Sequence, residues 1–335
     1  MITNISLKNF GPLDAVQWTE LGSINLVLGE NGQGKSFLLK AIYAAIKTAE
    51  LAGRGDDKRT ASEILADKLY WTFQTDSLGD LVKKPVTQAL ACSIGTKQGH
   101  FEFSFGQDTT RKVIATNTCP KTDRNSIFLP AREIISLQHI IFSSRDKDRV
   151  FGFDDTQYDL AQALRNGPTK GKNHSDIATS RQKLAGLLGG KIEYDTQKDR
   201  WNFKKGNTKF PMGITSEGIK KIAILDTLLG NRYLSTQSII FVDEPESALH
   251  PQAINLFIDI LALLARSGMQ VFIASHSYFV IKKLFILAQK NKQSIPVLSL
   301  NKEETQYADM LNGMPKSTII EESIRLYEEE IEVSL

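Results

Sequence analysis

Apolar and polar residues alternate along 2–10, and a second strand-like stretch over 14–28 ends in Ile24-Asn25-Leu26-Val27-Leu28. A glycine-rich turn follows. From near Lys35 the period lengthens, with Leu38, Leu39, Ile42, Ala45 and Ile46 recurring every three to four residues, so the pattern reads strand, loop, helix. Between about 50 and 127 the signal is mixed: a polar segment over 53–63, a helix reaching Phe73, and alternating runs at 100–105 and 111–115 predict an inserted α/β segment. Residues 126–130 form a short apolar run cut by Pro130, and 133–188 read as mostly helical, interrupted by a loop over 166–172. Gly189 and Gly190 then open a hairpin, Lys191–Asp195 with Arg200–Lys205. A helix from Gly218 to about Leu229 precedes an apolar strand at 238–242, a helix at 251–266 and another buried strand at 270–274. Apolar strands separated by helices imply a parallel sheet with crossovers. No internal repeat, long heptad run or low-complexity tract is present.

Composition narrows this picture. With 335 residues, 41% of them hydrophobic, the chain can bury one large core or two lobes around one sheet. The net charge of +3 is too small to argue for a nucleic-acid partner. Its distribution says more: residues 160–221 hold thirteen Lys/Arg against five Asp/Glu, whereas 301–335 hold three against nine. Cys92 and Cys119 follow no metal-ligand spacing, which suits a reduced cytoplasmic protein. The start has no charged lead before an apolar run, and no stretch approaches the roughly 20 apolar residues of a membrane span, so a soluble protein without a membrane partner is expected.

The chemistry concentrates in three places. Gly29-Glu30-Asn31-Gly32-Gln33-Gly34-Lys35-Ser36 fits the phosphate loop G-x-x-x-x-G-K-[ST], between a buried strand and a helix where that loop must stand. Glycines let backbone N–H groups turn inward around phosphates, Lys35 reaches the β/γ oxygens, and the Ser36 hydroxyl is a Mg²⁺ ligand. Ile239-Ile240-Phe241-Val242-Asp243-Glu244 brings two carboxylates out at the end of a buried strand. Asp243 is placed for the Mg²⁺ shell and Glu244 to polarise an attacking water. At the third place, Ser216 and Gly218 open a helix, whose N-terminus is a natural oxyanion receptor; that Ser216 also starts the helix as its N-cap does not compete with this.

Asp243-Glu244-Pro245-Glu246-Ser247-Ala248-Leu249-His250-Pro251 resembles the Walker B and D-loop segment of ABC-type ATPases, and its second Glu and His-Pro ending resemble the SMC/RecF/OLD-like branch. The resemblance implies an α/β ABC-type P-loop head with a mixed or parallel sheet core, an N-terminal antiparallel β-subdomain and a helical lobe, and the interval between Arg132 and Ser216 leaves room for a short lobe but not for a long coiled coil. It implies that Ser247 joins the nucleotide contacts and that His276, in Phe272-Ile273-Ala274-Ser275-His276-Ser277, meets the γ-phosphate. Ile214-Thr215-Ser216-Glu217-Gly218-Ile219-Lys220-Lys221 resembles a degenerate ABC signature, which in the family serves the γ-phosphate held by the other subunit. The Q-loop has no clear match: in Phe128-Leu129-Pro130-Ala131-Arg132-Glu133, Arg132 is the candidate substitute, a surface salt bridge being the alternative. Phe10 and Trp18 are candidates to flank adenine, with core packing the competing role.

Four segments follow: 1–132 with the phosphate loop and the insertion, 133–213 as a helical and hairpin insert, 214–300 with signature, Walker B, D-loop and switch histidine, and 301–335 as an acidic C-terminal helix. The expected activity is ATP hydrolysis with Mg²⁺ in a head-to-tail homodimer that switches a separate effector protein. The resemblance points to bacterial anti-phage and toxin–antitoxin modules; the alternative is a RecF-like DNA-repair ATPase. The residues after His276 show no D-x-D pair, which argues against a nuclease domain. The basic excess over 160–221 could meet nucleic acid or protein. Ile320, Ile324, Tyr327 and Ile331 line one face of the tail helix and should bury, on its own core or on a partner.

Overall fold

The computed structural model describes residues 1–165, 167, 174–198, 200–301 and 304–334. Three sheets organise the molecule. Strands β1 (Ile2–Phe10), β2 (Leu13–Trp18), β4 (Leu90–Thr96), β5 (Gly99–Phe105) and β6 (Ile114–Asn117) form an antiparallel sheet in the order β2-β1-β4-β5-β6. The central sheet is built from β3 (Ile24–Gly29), β7 (Ile127–Leu129), β11 (Ile239–Asp243), β12 (Gln270–Ser275), β13 (Pro296–Leu300) and β14 (Thr305–Asp309), in the order β14-β13-β3-β12-β11-β7, parallel throughout except for β14. A third, small antiparallel sheet pairs β8 (Lys191–Asp195), β9 (Arg200–Lys205) and β10 (Thr208–Pro211).

The unbroken apolar strands are explained by layers on both faces of the central sheet. On one face α1 (Lys35–Leu51) is sandwiched between the two large sheets and is buried nearly all round, its buried Lys47 and Glu50 being hydrogen-bonded to Tyr233 and Ser126. α2 (Ala61–Phe73) closes that layer, its start fixed by a capping box between Thr60 and Glu63. The other face is covered by α4 (Asp155–Arg165), α5 (Ser175–Leu188), α6 (Glu217–Gly230), α7 (Pro251–Arg266) and α8 (Tyr278–Asn291), which share a second core. The short α3 (Gln138–Phe142) runs into a π-helical turn over Ser143–Asp148. A charged network ties the layers: Lys68 reaches both Asp155 (2.6 Å) and Asp159 (2.8 Å), and Tyr43 donates to Asp159 (2.6 Å).

Several sequence expectations change. The stretch 14–28 is two strands in different sheets, because the chain turns at Glu20, whose φ is 58°, before β3 begins. The strand expected at 111–115 forms three residues later, as β6. The hairpin gains β10 as a third strand, and α8, β13 and β14 were not predicted. The expected loop over 166–172 lies outside the described residues except Gly167. The largest correction is α9 (Thr318–Ser334): no residue of it is buried, and only Ile319 and Ile320 at its root pack on the core, so the expected burial of its apolar face on this chain does not occur. Among the described residues no helix is long and apolar enough to cross a membrane.

Candidate functional site

β3, β12 and β11 lie side by side and point the same way, with Leu28 opposite Ser275 and Asp243 opposite Ala274. Three sequence motifs far apart in the chain thus end on one sheet edge, the carboxyl end where open parallel sheets place their ligands.

The loop after β3 turns through Gly29, Gly32 and Gly34, all at positive φ (152°, 81° and 91°). At Gly29 a Cβ would stand 2.6 Å from the Leu300 carbonyl oxygen, so the close approach to β13 excludes any larger residue. Lys35 opens α1 and folds its ammonium back into the loop, donating to the carbonyls of Gly29 (2.8 Å) and Glu30 (2.9 Å). Burial lowers its pKa, while Glu244, Asp243 and Glu246 pull it back up. A cation whose hydrogen bonds go to loop carbonyls can be handed to an incoming anion. Ser36, next on α1, donates its hydroxyl to Asp243 Oδ1 at 2.9 Å. Asp243 is 7% exposed; burial raises its pKa, against the Ser36 hydrogen bond.

Glu244 leaves β11 with φ 47°, a left-handed conformation rare outside glycine. Its backbone is pinned twice: its N–H donates to Ala274 O (2.9 Å), and its carbonyl accepts from Lys221 Nζ (2.5 Å). Its carboxylate Oε1 then lies 3.0 Å from His276 Nδ1. Glu246 accepts from the Ser275 hydroxyl (2.8 Å) and the His276 N–H (3.2 Å), which fixes the turn that carries His276. Its second oxygen is buried with no hydrogen-bond partner among the described residues. His250 and Pro251 have a local explanation as well: His250 caps α7 by accepting from Gln252 N–H, and Pro251 fills the first helical position.

Ser216 is the N-cap residue of α6, yet its exposed hydroxyl makes no capping bond. Gly218 packs on the loop after β11: a Cβ there would stand 2.9 Å from Ala248 O and 3.1 Å from Leu249 Cδ2. One turn on, Lys220 bonds Glu133 (3.0 Å) and Glu217 (2.7 Å), while Lys221 is buried and its pKa is pushed down to about 8 by that burial, against the pull of Glu246, Asp243 and Glu244. Sequence reasoning quoted Lys221 and Glu246 within the motifs but gave neither a role in the site. A lysine set inside the apolar run from Ile219 to Leu229 was the available signal, since such a helix face has no room for an unpaired cation.

The structure gathers Gly29, Glu30, Asn31, Gly32, Gln33, Gly34, Lys35 and Ser36 with Asp243, Glu244 and His276. Ser247 lies in the adjoining loop, its N–H on Glu244 O at 3.0 Å. Phe10 is corrected: it is fully buried, with its ring against Phe37 (5.2 Å), Phe73 and Phe103, and it offers no face to a base. Trp18 is buried likewise, edge-on to Phe272. Arg132 is exposed after β7; it is its neighbour Glu133 that turns inward, to Lys220.

Residues 120–282 match the family described as "AAA domain, putative AbiEii toxin, Type IV TA system". Among solved structures, the chain is similar to an SMC head bound to the C-winged helix domain of ScpA, with TM-score 0.55 and 12% identity over 92% of this chain and 97% of that one. It is also similar to the SMC head domain of Pyrococcus furiosus bound to the C-terminal domain of ScpA, with TM-score 0.52 and 11% identity over 98% of each chain. The chain has the fold of an SMC head domain. No curated protein gave a match to the sequence. Among the described residues, a short helical and hairpin segment from α3 to β10 stands between β7 and α6.

Proposed function

We propose that the chain binds ATP with Mg²⁺ and hydrolyses it in a site completed when two copies meet head to tail, the dimer acting as a switch on a separate effector protein in anti-phage defence. The observation that carries this reading is the Glu244–His276 pair, 3.0 Å apart and set in a strained, doubly pinned turn beside Lys35, Ser36 and Asp243. Lys35 would pass from the Gly29 and Glu30 carbonyls to phosphate oxygens. Ser36 and Asp243 offer the hard oxygen donors that suit Mg²⁺, which when bound neutralises charge on the transferring phosphoryl group. Glu244 would accept a hydrogen bond from the attacking water, with His276 beside it to donate to the γ-phosphate.

The missing donor would come from the second copy. Ser216 keeps an exposed, unspent hydroxyl at a helix N-terminus, an anion receptor with no anion of its own chain assigned to it. The family description, an AAA domain of a Type IV TA system, supports a role within a toxin–antitoxin module, where the switched effector would act.

The test is Glu244→Gln, which retains the metal-binding residues and removes the acceptor for water. It should accumulate an ATP-dependent dimer and lose turnover, and a strictly monomeric E244Q protein in sedimentation with ATP and Mg²⁺ would defeat the head-to-tail reading. Ser216→Arg should bind ATP and fail to hydrolyse it; full turnover in that variant would remove the trans role of Ser216.

A further inference from the structure

The proposal concerns α9, whose root and free length differ sharply. At the root, Ile319 and Ile320 pack on the core and the helix leans on α8. Beyond Glu321 the helix projects for roughly 20 Å by its rise per residue, and Ile324, Tyr327 and Ile331 stay exposed, Tyr327 at 64%. An isolated helix of this length is marginal in water, and an apolar stripe on it is stable only against a second surface. Six glutamates and one arginine give α9 a charge of −5, so pairing two α9 helices with each other is electrostatically unfavourable.

Two observations select the occupant. First, α9 starts at the phosphate loop: Lys316, Ser317 and Glu321 share a cleft of about 650 Å³ with Glu30, Gln33 and Leu300. Second, the residues just before Ser216 carry the complementary surface. Ile214 is 73% exposed and Phe210 37%, and the small sheet from which they follow exposes Lys191, Lys198, Arg200 and Lys205, with Lys209 paired to Glu193 at 2.7 Å. An apolar pair ringed by cations matches an apolar stripe ringed by anions. In a head-to-tail dimer the signature end of one copy faces the phosphate loop of the other, which brings these two surfaces together twice by symmetry.

We infer that α9 is a latch that docks on the β8–β10 sheet and Ile214 of a second copy of this chain. The inference rests on the head-to-tail reading. Each copy then contributes a helix that closes over the partner beside the ATP it helps to enclose. Attraction between the charged rims makes the latch weaker as salt is raised.

The experiment measures dimer affinity by sedimentation velocity, using full-length E244Q protein with ATP and Mg²⁺. Glu328→Lys with Glu330→Lys avoids the glutamates paired to Arg325 and should weaken the dimer by at least about tenfold. Lys198→Glu with Lys205→Glu, which leaves the Lys209–Glu193 pair intact, should weaken it similarly, and combining the two pairs of substitutions should return affinity to within a few-fold. Ile324→Asp with Tyr327→Asp should also weaken it at least about tenfold, with an unchanged melting temperature because both side chains are exposed. Unchanged dimer affinity in all α9 variants overturns the latch while leaving the dimer reading intact. Loss of a foreign copurifying chain with dimer affinity preserved would assign α9 to a separate partner and overturn it too. If the E244Q protein with native α9 stays monomeric, it is the head-to-tail reading itself that has failed.

Discussion

Gly218→Ala separates packing from anion binding at the start of α6. Alanine keeps the backbone N–H, so an amide that receives an anion is retained. The added methyl carbon meets Ala248 O at 2.9 Å and Leu249 Cδ2 at 3.1 Å. The leucine end can rotate, but the carbonyl oxygen is backbone, and Ala248 already has φ 62°. The loop carrying Ser247 must therefore move by several tenths of an ångström. Overpacking of this kind costs about 1–3 kcal/mol, and exchanging glycine for alanine near a helix start returns at most about 1 kcal/mol. The net loss, roughly 1 kcal/mol, should lower the melting temperature by about 1–2 °C in a chain of this size. Gly213→Ala is the control: nothing lies within 4 Å of its added carbon, and its stability should stay within about 0.5 kcal/mol of wild type. Because the displaced loop continues from Glu244, turnover should fall by about ten- to a hundredfold. ATP affinity, measured with a fluorescent analogue, should hold within about twofold, since binding rests on residues 29–36. A Gly218→Ala protein that is more stable than wild type and turns over ATP at the wild-type rate would refute the argument.

Lys35→Ala should weaken ATP binding by about a hundredfold in calorimetry, removing one partner of a desolvated charge contact typically costing about 3 kcal/mol. Phe10→Leu should cost about 1–1.5 kcal/mol in urea unfolding with unchanged ATP affinity; the opposite pair of results would restore Phe10 to the nucleotide. For Lys221, the folded pKa of about 8 lies below the ordinary lysine value of 10.5, so its buried charge penalises the fold at pH values below 8, and the penalty is relieved as pH rises from 8 towards 10.5. Relative to Lys221→Met, wild type should therefore gain about 1 kcal/mol between roughly pH 7 and pH 9; a parallel pH dependence in the two proteins would place the Lys221 titration elsewhere.

What the sequence made legible was whatever is local in the chain. The phosphate loop, the acids after β11 and the histidine after β12 each sit at the end of an apolar strand, and strand ends are visible in hydrophobic pattern alone. The buried parallel strands and the absence of long arms were equally open to inspection. Phe10 was misread because an aromatic on an alternating strand looks the same whether its face meets adenine or, as here, three other rings. The roles of Glu246 and Lys221 were not legible because their partners, Ser275 and the Glu244 carbonyl, are 29 and 23 residues away. The free length of α9 could not be read either, since amphipathic spacing says that a face needs cover and not where the cover comes from.

The strand order has a consequence for the newly made chain. β3, which carries the phosphate loop, lies between β12 and β13, so both hydrogen-bonding edges of a strand over Ile24–Gly29 wait for partners at Gln270–Ser275 and Pro296–Leu300. During synthesis, at about 5–20 residues per second, those edges stay open for on the order of ten seconds or more, until nearly all of the chain described here has been made. Pairing at such separation is slow because loop closure precedes any reward from contact. The nucleotide site therefore cannot exist on a partial chain that lacks β12. ATP cannot hold an unfinished copy in its native shape, and an apolar strand with two bare edges is left to helpers of folding or to aggregation.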